Sequence, residues 1–104
     1  MYYRVGATKG GAYSWWLYGG NHEKVAWAGE TFASEANAKR AATSFKAGAA
    51  TARYEVHEDA GDKWRWRAWR SSDKVASSGE PFSSRSSAQR AADNVRDHAG
   101  DADL

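Results

Sequence analysis

The amino-acid sequence is one unit written twice, and this duplication constrains the fold more than any other feature of the chain. Four positions of the first half recur 51 residues later: Tyr3, Val5, Gly10 and Trp15 return as Tyr54, Val56, Gly61 and Trp66. The loop that follows is one residue shorter in the second copy, so later residues recur after 50 positions instead of 51. The residues that recur identically at this interval are Lys24, Val25, Ala26, Gly29, Glu30, Phe32, Ser34, Ala38, Arg40, Ala41 and Ala42. A repeat of this length predicts two copies of one supersecondary unit, each of which buries its apolar face against the other.

The length of the chain favours a single domain over residues 1–104 that contains both copies. We predict a first repeat over about 2–50 and a second over about 52–104, each close to the lower size limit for independent folding. Cysteine is absent, so no disulfide framework and no thiolate metal site is available. The six Trp, five Tyr and three Phe residues are therefore expected to supply much of the core.

The hydropathy pattern favours a protein without a membrane partner. No apolar run approaches the roughly 20 residues that a membrane-spanning helix needs, and the N-terminal residues lack the apolar segment of a signal peptide. We therefore expect a cytoplasmic protein. The formal net charge is only +2, so the molecule as a whole is not a polycation. Because the duplication supplies within one chain the contacts of a homodimer, we expect a monomer.

Each copy is predicted to contain three strands followed by one helix. The second strand of each copy is aromatic and favours a pleated, half-buried surface. Ser34 and Ser84 are the expected N-caps of the helices, and Gly29 and Gly79 are expected to adopt a backbone angle that other residues resist. The predicted strands cover residues 2–5, 13–18, 25–28, 53–57, 64–70 and 75–78, and the predicted helices extend to about 47 and about 98.

The predicted helices carry their apolar residues on a single face made mostly of alanine. The spacing is i, i+3, i+4, i+7, and the residues are Ala38, Ala41, Ala42 and Phe45 in the first helix and Ala88, Ala91, Ala92 and Val95 in the second. Small residues let these helices lie close to the sheet. Two assignments of the third strands remain open, since the buried set is either Val25, Val75, Trp27 and Ser77 or Ala26, Ala76, Ala28 and Ser78.

Three motifs in the second copy carry a resemblance to a known family. They are W-R-W-R at 64–67, S-G-E at 78–80, and F-S-S-x-x-S-A-x-R at 82–90. Through them the chain resembles the YegP-like family, a small bacterial and archaeal domain of unknown function, in two tandem copies that cover essentially its whole length. The first copy departs from the pattern, because Trp16 stands in place of Arg and Ala28 in place of Ser.

The resemblance implies an α+β fold of β-β-β-α(-β) units joined in one antiparallel sheet, with the strand after each helix exchanged between the units. Together with the duplication it predicts two helices packed on one face of the sheet and a pseudo-twofold axis. The resemblance implies no established activity, and it supplies no catalytic residue for this chain.

The side-chain alternation along the strands predicts an exposed sheet surface, which we call the open face. Trp15 and Trp66 belong to the set that stays apolar in both copies and is therefore assigned to the core, so their neighbours in sequence lie on the other side. The open face is predicted to carry Trp16, Tyr18, Arg65, Arg67 and Trp69 together with Tyr2, Arg4, Arg53, Glu55 and His57. The predicted binding residues among them are Arg4, Trp16, Tyr18, Arg53, Arg65, Arg67 and Trp69.

The leading functional hypothesis is a non-catalytic binding or interaction module that acts through the open face. One alternative is single-stranded nucleic acid, because bases stack on aromatic rings while Arg and Lys follow the phosphates. Another is a structural or self-associating role. The arginine stems also cover aromatic rings on an open sheet, where cation–π pairs stabilise the fold without any ligand.

The sequence favours no enzyme class. His22, His57 and His98 have no metal-ligand spacing, and no serine stands in a nucleophile-elbow motif. The glycine-rich segment 6–12 lacks the spacing and the strand-to-helix context of a phosphate-binding loop. We therefore predict no catalytic residue, no metal site and no cofactor.

Overall fold

Six strands form one antiparallel sheet in the computed structural model, which describes all residues from 1 to 104. This architecture confirms the predicted α+β class and the single sheet. The elements in chain order are β1 (Tyr2–Ala7), β2 (Tyr13–Tyr18), β3 (Lys24–Trp27), α1 (Glu35–Gly48), β4 (Arg53–Glu58), β5 (Trp64–Arg70), β6 (Asp73–Ser77) and α2 (Arg85–His98), followed by a 3-10 turn (Ala99–Asp101).

The strand order in the sheet is β1-β2-β3-β6-β5-β4. Each half of the chain contributes three strands that pair consecutively, and the halves meet where β3 pairs with β6. Trp27 and Ser77 form the single residue pair at this junction. The outer strands β1 and β4 run two residues and one residue beyond their predicted ends, because their hairpins stay paired up to the turn.

Both helices begin at the predicted serines. The hydroxyl of Ser34 accepts a hydrogen bond from the backbone N–H of Asn37, and that of Ser84 accepts one from Ser87, each at 3.1 Å. These bonds satisfy backbone N–H groups that have no partner inside the first helical turn. Each helix has 14 residues, and neither is long and apolar enough to cross a lipid bilayer.

The two helices share one hydrophobic core with one face of the sheet. Helix α1 packs on β1 and β2, and α2 packs on β5 and β4. Trp15 is fully buried and stacks on Phe45 of α1 with ring centroids 5.1 Å apart. The other large or central members of this cluster are Tyr3, Leu17, Ala26, Ala42, Trp66, Ala68, Ala76, Ala92 and Val95. The opposite face of the sheet is covered by neither helix.

The third strands bury their alanines. Ala26 and Ala76 are fully buried, and Ala28 and Ser78 are almost so, which selects the second of the two assignments left open by the sequence. Trp27 is consequently on the open face. Val25 also packs against the core, because the pairing of β2 with β3 shifts at Tyr18, which lies opposite Lys24.

The structure does not show the expected exchange of a strand between the two units after each helix. Strand β4 follows α1, but it belongs to the second half and pairs with β5 of that same half. After α2, however, the chain makes only a parallel bridge, in which the N–H of Tyr3 donates to the carbonyl of Asp103 at 2.7 Å. A second strand after α2 is therefore replaced by a short contact that joins the end of the chain to β1.

The expectation for the two glycines is correct for Gly29 and wrong for Gly79. Gly29 has a φ of +80°, which lies in the region that favours glycine. Gly79 has no positive φ. A Cβ at Gly79 would instead lie 3.2 Å from the carbonyl oxygen of Lys24, so close approach of the backbone is the reason for glycine there.

Candidate functional site

One continuous row of side chains crosses the open face on all six strands. Register pairs join Arg4 to Trp16, Trp16 to Trp27, Trp27 to Ser77, Ser77 to Arg67 and Arg67 to Glu55. Neighbouring strands lie about 4.8 Å apart, so the row extends over about 24 Å. Two neighbouring tryptophans therefore occupy the second and third positions of this row of six, with Arg4 at the first position and Arg67 at the fifth.

Aromatic side chains dominate the first half of the open face. The rings of Tyr2 and Tyr18 stack with centroids 5.2 Å apart and an interplanar angle of 8°. The guanidinium carbon of Arg4 lies 5.6 Å from the Tyr2 ring centroid, and the Tyr2 hydroxyl lies 2.9 Å from Nδ1 of His22. This corner is held together by contacts among its own side chains.

Cations lie over two of the open-face tryptophans. The ammonium of Lys24 is 5.9 Å from the Trp16 ring centroid, and the guanidinium carbons of Arg53 and Arg67 are 5.7 Å and 5.6 Å from that of Trp69. Each such contact is worth about 0.5–1 kcal/mol at an exposed site. Intramolecular covering therefore accounts for the placement of Trp16 and Trp69, but Trp27 has no cation and no aromatic ring paired with it.

The second half of the open face is mainly charged. Arg67 pairs with Glu55 at 3.0 Å, and Arg65 pairs with Asp59 at 2.8 Å. The hydrogen bond from Arg65, followed by backbone N–H groups of the turn, lowers the pKa of the Asp59 carboxyl. Burial, and then the charge of Arg67, lowers the pKa of His57, so its imidazole is favoured in the neutral form.

Several polar atoms of this charged half are covered and have no hydrogen-bond partner. They include two donors, Nε of Arg67 and Nε1 of Trp69, and two further atoms, Nδ1 of His57 and Oε1 of Glu55. The ion pair of Glu55 with Arg67 is close but is not aligned as a hydrogen bond at this oxygen. Covered donors without a partner are uncommon in folded proteins.

The structure brings the predicted binding residues to one surface in two groups. Arg4, Trp16 and Tyr18 lie on β1 and β2, whereas Arg53, Arg65, Arg67 and Trp69 lie on β4 and β5. Arg4 and Arg53 are exposed, and the others are half-buried. The two groups are separated by the junction of β3 and β6.

Sequence reasoning missed two residues of the open face, Trp27 and Lys24. The side-chain alternation does not decide which side of the third strand is buried, because either side fits a half-buried pattern. A usable signal existed in the helices, since alanine-rich helix faces pack closely and match the small residues Ala26 and Ala28 better than a tryptophan.

The two halves of the sheet share several core residues, although Leu17 corresponds to Ala68, and they differ at five pairs of open-face positions. In the core, Tyr3 and Trp15 recur 51 residues later as Tyr54 and Trp66. On the open face, the residues at corresponding positions of the two halves differ: Tyr2 corresponds to Arg53, Arg4 to Glu55, Trp16 to Arg67, Tyr18 to Trp69 and Trp27 to Ser77. The same backbone arrangement thus accepts either set of open-face side chains.

The remaining surface offers little for chemistry. No group of three or more His, Cys, Asp or Glu side chains is placed to hold a metal ion. A groove of about 500 Å³ beside β1 and α1 is lined by Tyr3, Val5, Glu35, Ala36, Lys39 and Leu104. This groove lies on the helix side of the sheet, away from the open face.

Comparison with known proteins gives a family match and two similar folds. The family described as Domain of unknown function (DUF1508) matches residues 9–55, which include β2, β3 and α1. The match lies in the first half of the chain, whereas the motifs that carry the sequence resemblance lie in the second half. No curated protein matches the sequence.

Two solution NMR structures have the same fold. The UPF0339 protein SO3888 from Shewanella oneidensis is 17% identical with a TM-score of 0.79, over 95% of this chain and 84% of that one. The protein of unknown function yegP from E. coli is 15% identical with a TM-score of 0.81, over 98% of this chain and 88% of that one. The comparisons therefore support the resemblance to the YegP-like family through a shared fold and through residues 9–55.

Proposed function

We propose that this chain is a non-catalytic binding module that recognises its ligand through the open face. The observation that carries the proposal is that the buried tyrosines and tryptophans of the sheet recur in both halves, whereas Trp27 and four other open-face residues do not. Packing requires Trp15 and Trp66 alike, because both are fully buried. It does not require Trp27, because serine occupies the corresponding position at the same junction.

Large aromatic side chains that the fold does not need are typical of contact surfaces. Tryptophan and tyrosine are enriched where proteins bind partners, since they contribute a large area and a polar edge. Cation–π contacts explain Tyr2, Trp16 and Trp69 without a ligand. The unpaired Trp27, at the centre of the row, is the residue that intramolecular covering leaves unexplained.

We also propose that the chain consists of two tandem copies related by a pseudo-twofold axis within one domain, and that it is a monomer. The helix N-caps support this symmetry, because Ser34 and Ser84 have the same φ of −143° and ψ angles of 158° and 157°. Equivalent tyrosines also make equivalent bonds, from Tyr3 to Ala99 and from Tyr54 to Ala49. Light scattering over a range of concentrations tests the monomer.

We also propose that this module acts in the cytoplasm without catalytic activity and without a cofactor, and its side-chain contacts support the proposal that it is not an enzyme. The hydrogen bonds between side chains join ion pairs, serines of the α2 cap, a Tyr–His pair and three pairs with an arginine or amide donor (Arg40–Asn37, Arg70–Ser44 and Gln89–Asp93), and none joins a serine to a histidine. A nucleophile needs such a base within hydrogen-bond reach. The arrangement therefore favours binding over catalysis.

The proposed function is tested with two variants that lose the same charge from different surfaces. The open-face variant combines Arg4→Ser, Arg65→Ser and Arg67→Ser. The control variant combines Lys39→Ser, Arg40→Ser and Arg90→Ser, which lie on the exposed sides of the helices. Each protein is immobilised and exposed to an extract of the cells that produce it, before and after nuclease treatment.

We expect the wild type and the control variant to retain the same macromolecule, and the open-face variant to lose it. Circular dichroism and denaturant unfolding establish that all three proteins are folded. Equal retention by all three proteins, or no retention by the wild type, contradicts a binding role for the open face.

A further inference from the structure

We infer that the open face binds single-stranded nucleic acid, with bases stacked on Trp16 and Trp27 and phosphates held by the cations around these two rings. This inference rests on the proposed function and names the ligand class of the same surface. It is carried by the position of Trp27, by the distribution of charge and by the unpartnered donors beside the row.

The first argument is the space beside Trp27. Its neighbour on β2 is Trp16, and its neighbour on β6 is Ser77, the smallest side chain of the row. The ring of Trp27 is half-buried and has neither a cation nor an aromatic ring paired with it. A planar group can therefore lie against Trp27 above Ser77 without displacing a cation or an aromatic ring.

The second argument is the arrangement of the rings. Directly opposed residues on adjacent strands have Cβ atoms about 4.5–5.5 Å apart, so Trp16 and Trp27 form two neighbouring aromatic sites across the strands. Sheets that present two or three aromatic side chains in this way stack successive unpaired bases. Such stacking tolerates any base, since every base has a planar face.

The third argument is charge. Five cations lie on or beside the open face: Arg65 and Arg67 are paired with the carboxylates of Asp59 and Glu55, and the other three are Arg4, Lys24 and Arg53. Arg4 and Arg67 lie in the same row as Trp16 and Trp27, one on each side of them. Cations on both sides of an aromatic pair suit a strand that crosses the sheet and carries a phosphate on each side of its bases.

The fourth argument is the pair of donors without partners, Nε of Arg67 and Nε1 of Trp69. Both belong to β5, immediately beyond Ser77 in the sheet. Hydrogen bonds from charged donors to phosphate oxygens are among the stronger ones in proteins. Because both donors are covered, a phosphate oxygen can reach them only if these side chains move, and it would then give both donors an acceptor.

These features favour a single strand over a duplex. The bases of a duplex are stacked on each other and paired, so their faces cannot lie on Trp16 or Trp27 unless the helix is opened. The open face has no helix or long ribbon that enters a major groove. A duplex can contact only the cations, and it gives up the stacking that the aromatic row provides.

The experiment measures the fluorescence anisotropy of a labelled oligothymidine single strand during titration with the protein. The label is on the oligonucleotide, so that removal of a tryptophan does not remove the signal. The key variant is Trp27→Ser, which places at this position the residue found at Ser77. The control is the variant with Lys39→Ser, Arg40→Ser and Arg90→Ser, and a duplex of the same length is titrated alongside.

We expect saturable binding of the single strand by the wild type and the control variant. Trp27→Ser should bind about tenfold more weakly, the order of one lost stacking contact, and the duplex should bind more weakly than the single strand. The affinity of the wild type should fall about tenfold or more between about 50 mM and about 200 mM salt, as expected for about three released counterions.

Three results overturn the inference. One is the absence of saturable binding by folded wild-type protein at the lowest salt concentration. Another is equal affinity of wild type and Trp27→Ser, and the third is equal loss in the control variant, which would indicate attraction by charge alone. If Trp27→Ser does not fold, the pair Arg4→Ser and Arg67→Ser is compared with the pair Arg40→Ser and Arg90→Ser instead.

The two experiments together distinguish an error in the ligand, single-stranded nucleic acid, from an error in the proposed binding role of the open face. If oligonucleotides do not bind but a protein is captured through the open face after nuclease treatment, the ligand is a protein and the binding module remains. If neither experiment shows binding that depends on the open face, both proposals are wrong.

Discussion

The hydroxyl of Tyr3 donates a hydrogen bond of 2.9 Å to the backbone carbonyl of Ala99, which is 96 residues further along the chain. Tyr54 makes the corresponding bond of 2.8 Å to the carbonyl of Ala49. Both carbonyls lie at the C-terminal end of a helix, where backbone acceptors have no intrahelical partner. Each tyrosine therefore joins the first strand of its own half to the C-terminal end of the helix of the other half: Tyr3 in β1 to the end of α2, and Tyr54 in β4 to the end of α1.

We expect Tyr3→Phe to lower the free energy of unfolding by about 1 kcal/mol, the usual net worth of one hydrogen bond. Tyr54→Phe should have a similar effect. Tyr18→Phe is the control, because its hydroxyl makes no hydrogen bond within the protein, and its effect should stay within about 0.5 kcal/mol. Denaturant unfolding followed by tryptophan emission measures all three, and equal stability of the three variants would contradict the structural role of these bonds.

The same tyrosines predict a loss of stability in alkaline solution. Burial raises the pKa of Tyr54 from 10.0 to about 12, and burial, with the Tyr54 hydroxyl as a second cause, raises the pKa of Tyr3. Above about pH 10 the unfolded chain loses these protons before the folded chain does, so the unfolded state binds fewer protons and stability falls as pH rises. The contribution is fully present below pH 10.

Unfolding measured at a series of pH values between about 8 and about 12 checks this expectation. The decline should be shallower in the double variant Tyr3→Phe, Tyr54→Phe, once each protein is compared with its own stability at the lowest pH. An equally steep decline in that variant would assign the alkaline instability to other groups.

The division of the tryptophans between core and open face predicts two sizes of effect. Trp15→Ala and Trp66→Ala remove fully buried side chains and should each cost about 3–5 kcal/mol. Trp16→Ala removes a half-buried ring and its contact with Lys24, and it should cost about 1 kcal/mol. Thermal unfolding ranks the three, and a cost for Trp16→Ala as large as for Trp15→Ala would show that the open face is covered in solution.

Much of the fold follows from local chemistry and from the duplication. Ser34 and Ser84 could be predicted as N-caps, because a serine directly before an alanine-rich periodic segment can accept a hydrogen bond from a backbone N–H of the first helical turn. The buried side of the second strand in each half could also be predicted, because Trp15 and Trp66 are the tryptophans that occupy the same position in both halves. These predictions depend on residues close together in sequence, for which the side-chain period decides which side is buried.

The rest depends on contacts that no local pattern contains. The pairing of Trp27 with Ser77 at the junction of the halves arises from the order of six strands, and no short segment specifies that order. Val25 packs against the core although Trp27, two residues later, does not, because the strand pairing shifts beside Tyr18. The candidate site was therefore predicted at its two sides and missed at its centre.

The glycines at 29 and 79 predict opposite responses to the same substitutions. Gly29 needs glycine for its φ of +80°, and the nearest atom to an added Cβ, Cε of Lys74 at 3.0 Å, belongs to a flexible side chain that can move. Gly29→Ala should therefore cost about 1–2 kcal/mol of backbone strain. Gly29→Asn should cost less, because asparagine tolerates a positive φ.

At Gly79 the obstacle is the backbone carbonyl oxygen of Lys24, 3.2 Å from an added Cβ, and asparagine brings the same Cβ with further atoms. Gly79→Asn should accordingly be no more stable than Gly79→Ala. Denaturant unfolding of the four variants measures the two differences. Recovery by asparagine at 79 but not at 29 would mean that the two glycines have been assigned the wrong physical roles, since only backbone strain is relieved by asparagine.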